Sequence, residues 1–102
     1  MSTPSNTTDD DDLVDLETAA RLCGLPAEMI LEFSRTRVIS VVRGGDSAAP
    51  TFDTVCLHRL RQIETLHHEW SMAPRSIGFV MDLFDRLEAA ERELRVLRER
   101  LR

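Results

Sequence analysis

The three residues Gly24-Leu25-Pro26 constrain the fold of this chain more than any other stretch. Before them, Ala19, Ala20, Leu22 and Cys23 make a short apolar stripe, and Asp15 is placed to cap its start. Gly24 tolerates the left-handed backbone that ends a helix. Pro26 suits the first turn of the next helix, where a missing N–H costs nothing. Met29, Ile30 and Phe33 then give the inward face of a second helix of about two to three turns. The pattern predicts a helix-turn-helix.

The chain beyond Arg37 extends that unit. Val38, Ile39, Val41 and Val42 are β-branched and predict a strand. Arg43-Gly44-Gly45-Asp46-Ser47 is turn material, and Pro50-Thr51-Phe52 can form a short return strand. A small β-hairpin, or wing, is expected. Asp53 caps a further helix with the stripe Val55, Cys56, Leu60, Ile63, Leu66 and Trp70. Met72-Ala73-Pro74 breaks it, and Pro74 opens the last helix, with Ile77, Val80, Met81 and Phe84 facing inward. Beyond these, Leu83, Leu87, Ala90, Leu94, Leu97 and Leu101 are spaced alternately by four and three, an a/d heptad seam. Residues Asp82 to Arg102 carry six acids and six arginines, so the seam runs through an electrically neutral helix with pairs such as Glu91 and Arg95. Self-association through the seam is the favoured expectation. A helix folded back on its own domain is the competing one.

The predicted organisation is therefore an acidic, disordered tail over 1–12, a mainly α winged helix-turn-helix domain over 13–73, and a C-terminal dimerisation helix over 74–102. A domain in a 102-residue chain is only modestly stable alone, so a partner or an oligomer would help it. The net charge of −5 is largely a property of the tail: Asp9 to Asp12 supply four of the negative charges, and Leu13 to Arg102 holds 14 acids and 13 bases. Such a tail is either simply solvated or a lure for a basic partner. No apolar run approaches ~18 residues, so no membrane span is expected. MSTPSNTTDDDD lacks the basic start and apolar core of a secretory signal, and a cytoplasmic location is predicted.

Little in the chain suggests chemistry. Cys23 and Cys56 have no CxxC or CxxH neighbours and are expected as buried thiols, unpaired in a reducing compartment. His67 and His68 point about 100° apart on a helix and cannot jointly clasp one ion, while His58 falls on roughly the opposite face from His67. No phosphate loop, HExxH or GxSxG motif occurs. Neither catalysis, metal nor cofactor is expected, which leaves recognition.

Duplex DNA is a poor match for these charges. A DNA reader needs bases on its second helix and wing to meet phosphates. Here Glu28, Glu32 and Asp46 interrupt a thin supply, and Leu13 to Phe52 has five acids against four arginines. A DNA-binding regulator would have to use Arg35, Arg37, Arg43, Arg59 and Arg61 on phosphates.

The stretch LETAARLCGLPAEMILEFSRTRVI followed by PTFD resembles the winged-helix start of MerR-type regulators. It departs from them at the basic positions. The Arg-x-Tyr signature that DNA-binding members carry in the second helix falls here on Leu31 and Phe33, an earlier arginine on Glu28, and the wing's Arg-x-Tyr on Pro50-Thr51-Phe52. Those departures, with VCLHRLRQIETLHHEW and SMAPRSIGFVMDLFDRLEAAERELRVLRERL, are similar to a divergent branch, the chaperone modulators (CbpM-like proteins). The most specific piece is Trp70-x-x-x-Pro74-x-x-Ile77 running into a leucine-spaced helix, and the likeness spans about residues 13 to 102.

The resemblance implies a protein that binds the J domain of a DnaJ-like co-chaperone of the CbpA type and blocks its stimulation of a DnaK-type ATPase. J domains present a basic helix, so an acidic modulator surface is physically apt. Charge and position nominate Glu28, Leu31 and Glu32 on the second helix, with Asp15 and Glu17 near the first, as partner-binding residues. A solvated helix face is the competing reading of the glutamates. A DNA-binding MerR-like regulator and a plain dimeric adaptor remain the alternative functions.

Overall fold

The computed structural model describes residues 13–43 and 49–102. The expected disordered tail at 1–12 and most of the expected hairpin turn, residues 44–47, lie outside the described residues. In chain order the elements are α1 (Leu16–Cys23), α2 (Ala27–Arg35), β1 (Val42–Arg43), β2 (Pro50–Thr51), α3 (Thr54–His68) and α4 (Pro74–Arg100).

Local rules account for most helix ends. Asp15 has extended backbone and its Oδ1 accepts the Thr18 amide at 2.8 Å, which starts α1. Gly24 ends α1 at φ 72°, where its amide reaches the Ala20 carbonyl at 2.9 Å. A side chain at that left-handed position would be strained, which is why glycine stands there. Pro26 sits one residue before α2 rather than in its first turn, because its ψ of 141° is extended. Its carbonyl still accepts the Met29 and Ile30 amides.

The end of α2 corrects one expectation. Val38 and Ile39 do not begin a strand, and regular pairing starts only at Val42. Arg37 adopts a left-handed φ of 65°. Its amide bonds the Ser34 carbonyl at 3.2 Å, and the Val38 amide bonds the Phe33 carbonyl at 2.9 Å. These two bonds form a Schellman motif, which satisfies orphan carbonyls of α2 and turns the chain, so β-branching at Val38 and Ile39 is overridden. β1 and β2 then pair antiparallel, Val42 with Thr51 and Arg43 with Pro50. Just beyond, Val14 and Phe52 form an isolated bridge that ties the start of α1 to the start of α3.

Asp53 caps α3 by accepting the Cys56 amide at 2.9 Å. Cys56, Leu57, Leu60, Ile63 and Leu66 are its buried residues. Two expected members of that stripe face solvent, Val55 at 66% exposure and Trp70 at 68%. Val55 lies about 100° from Cys56 around the helix, outside the buried arc. Trp70 lies beyond the end of α3, so helical spacing no longer projects it inward.

The core joins all four described helices, with Ile30, Phe52, Leu60, Ile63, Ile77 and Met81 essentially fully buried. Each such side chain contributes about 1.5–3 kcal/mol by leaving water. Cys23 and Cys56 are free and buried, and burial pushes both thiols above their ordinary range. Pro74 opens α4, where Ile77 and Met81 are buried and Val80 is half-buried. From Asp82 onward every residue of α4 is exposed, including Phe84, expected to face inward. At 27 residues the helix is about 40 Å long, and its second half buries none of its residues in the core, although Leu87, Glu88 and Glu91 still border a groove with α3. None of the helices is long and apolar enough to cross a membrane among the described residues.

Candidate interaction surface

The outward side of α2 follows from which residues its inward side needs. Ile30 and Phe33 enter the core, so Glu28 and Glu32, one turn apart, are left in solvent with half-buried Leu31 between them. Glu32 is paired with Arg35 three residues on, both side chains being more than half exposed. α1 packs against α2. Its first turn presents Glu17 to solvent, whereas the Asp15 carboxylate is already engaged by Thr18. The Thr18 hydroxyl and then its amide hold the Asp15 carboxyl below its ordinary pKa. Of the five nominated residues, Glu17, Glu28 and Leu31 carry no side-chain hydrogen bond among the described residues that competes with a partner, while Asp15 and Glu32 would have to share or exchange theirs.

The arginines that a DNA reader would use are differently placed. Arg35 is paired with Glu32, and Arg37 and Arg61 are exposed. Arg59 is turned inward: its Nε and Nη2 donate to the Val38 carbonyl at 3.0 and 2.7 Å. The other edge of the guanidinium meets Asp85 on α4, Nη1 to Oδ1 at 2.7 Å and Nη2 to Oδ2 at 3.2 Å. One side chain thus fastens the turn after α2 and the middle of α4 to α3. Arg43 belongs to β1.

The histidines serve local geometry. His67 Nδ1 lies 3.1 Å from the Met72 carbonyl, His68 Nδ1 lies 2.9 Å from Glu64, and His58 is exposed. The seam residues Leu83, Leu87, Ala90, Leu94, Leu97 and Leu101 are all exposed along and just beyond α4. Leu83 lies two residues, or about 200°, around the helix from buried Met81, while Leu87 borders a groove with Val55, His58 and Gln62 of α3.

Sequence reasoning missed a groove between the end of α2 and the start of α4. Its volume is about 520 Å³, and Glu32, Thr36, Val38, Arg75 and Phe79 line it. A legible signal was Phe79, an aromatic that belongs to neither the inward face nor the a/d seam of α4.

Two short helices turned at Gly24, a two-residue antiparallel strand pair and a long last helix define a helix-turn-helix protein. Residues 14–99 match the family model described as MerR HTH family regulatory protein. The chain belongs to that family. No curated protein matches the chain.

Proposed function

We propose that this protein is a chaperone modulator of the CbpM kind, which binds the J domain of a DnaJ-like co-chaperone and inhibits it. In this reading it is a cytoplasmic protein without catalysis or cofactor. The strand pair is the base of a wing, and two copies associate through the α4 seam. The observation that carries the proposal is the outward side of α2. Where a DNA reader presents bases to phosphate, this helix presents Glu28 and Glu32, and its one arginine is paired with Glu32. Arg59, which a DNA-binding reading needs at the surface, is engaged by Val38 and Asp85. A family scaffold without the family's basic face suits a basic protein surface better than a phosphate backbone.

The test is titration of the full chain against the J domain of a co-chaperone from the same cell. Binding is expected, and the double variant Glu28→Arg/Glu32→Arg should weaken it while leaving helicity unchanged. No binding up to concentrations on the order of tens of micromolar would remove the proposal. A mobility-shift titration with duplex DNA separates the regulator reading, which requires affinity that falls steeply as salt rises.

A further inference from the structure

Phe79 is 65% exposed on a helix whose neighbouring residues Ile77 and Met81 are buried. It stands one turn before Leu83, beside the seam. With Val38, Pro74 and Gly78 it forms the apolar part of the groove between α2 and α4, with Glu32 on one lip and Arg75 on the other. Gly78 is half-buried inside α4, where glycine is unfavourable for a helix. A Cβ there would stand 3.5 Å from Val38 Cγ2, in ordinary contact, so the missing side chain leaves room between helix and turn rather than relieving a clash.

We infer that this groove is the apolar anchor point for the J domain, taking one bulky apolar side chain from a basic helix whose lysine or arginine, one turn away, meets Glu32. The inference rests on the J-domain reading and adds to it a place and a chemistry. Two features select that occupant. Glu32 belongs both to the outward side of α2 and to the groove, so the acidic face and the apolar seat are continuous. Glu28 precedes Glu32 by one turn, so a helix that seats an apolar residue beside Phe79 can carry bases along α2 at the same repeat. The Glu32–Arg35 pair is exposed and therefore weak, so an incoming base can replace Arg35 at small cost. Aromatic side chains, Phe included, are enriched in protein interfaces, and a few anchors that fill pockets carry most of the binding energy there.

The experiment is isothermal titration of the full chain with the J domain, for wild type, Phe79→Ala and Val55→Ala, with sedimentation of each protein alone. Val55 is as exposed as Phe79 but lies outside the groove, so it controls for general loss of apolar surface. Phe79→Ala should weaken binding about tenfold or more. Val55→Ala should stay within about twofold of wild type, a change too small for a hot spot. The sedimenting mass should not change in either variant. Wild-type affinity for Phe79→Ala overturns the groove while leaving the J-domain reading intact. Equal weakening by both variants, or a changed mass for Phe79→Ala, overturns it too, the latter assigning Phe79 to contact between copies. No binding by wild type removes both readings.

Discussion

Arg59 holds three segments of the fold with one guanidinium, so its removal should cost more than a surface ion pair does. Its side chain is 21% exposed, while that of Asp85 is 49% exposed. The ion pair with Asp85 is half in water and contributes about 0.5–1 kcal/mol despite its two-pronged geometry. The bonds to the Val38 carbonyl are different, because no other donor reaches that oxygen among the described residues. A hydrogen bond to a charged donor contributes about 1.5–3 kcal/mol, and a stranded carbonyl adds a desolvation cost. Arg59→Met keeps most of the aliphatic stem and removes every donor. It should destabilise the protein by about 2–4 kcal/mol or more in all, against about 1 kcal/mol or less for Asp85→Ala. For a domain of this size the larger loss lowers Tm on the order of 10 °C or more. Urea unfolding followed by circular dichroism, at one fixed protein concentration because association would shift the midpoint, measures both variants and their double mutant. The coupling between the two sites should not exceed about 1 kcal/mol. If Arg59→Met costs no more than Asp85→Ala, the Val38 carbonyl does not depend on the guanidinium and the reasoning fails.

Two further outcomes are expected. Leu94→Glu puts a charge in the middle of the exposed seam and should abolish self-association while leaving the domain folded; an unchanged sedimenting mass would show that α4 does not pair through that face. The Asp15 carboxyl binds its proton less readily in the folded state than in the unfolded one, so its contribution to stability is present above the ordinary aspartate pKa of about 3.9 and lost as pH falls below it. Asp15→Asn keeps a capping oxygen but removes that acid-sensitive component, so the gap in urea midpoint between variant and wild type should shrink from pH 7 to pH 3; a constant gap would mean that the Asp15 charge has no part in capping α1.

Much of the architecture was legible one turn at a time. Asp15, Gly24, Asp53 and Pro74 stand at helix ends because caps and breakers act over three or four residues, a range that a sequence displays directly. Helical spacing likewise gave the buried Ala19 and Cys23 of α1, Ile30 and Phe33 of α2 and Ile77 and Met81 of α4, but Leu22, in the same apolar stripe of α1, is 50% exposed. The acidic outward side of α2 was legible as well, since placing Ile30 and Phe33 inward leaves Glu28 and Glu32 nowhere else to point.

Local pattern thus set the number and order of the helices, their caps and which α2 residues meet solvent. Packing between distant segments was needed to make Val38 follow a left-handed Arg37 instead of entering a strand, and to turn Arg59 inward. It was needed too for Phe79 and Glu32 to share a groove although they are far apart in the chain. The physical reason is range. Propensity and periodicity report each residue's preference against its near neighbours. The partners of Arg59 lie 21 and 26 residues away, and the groove exists only once α4 has docked beside the end of α2.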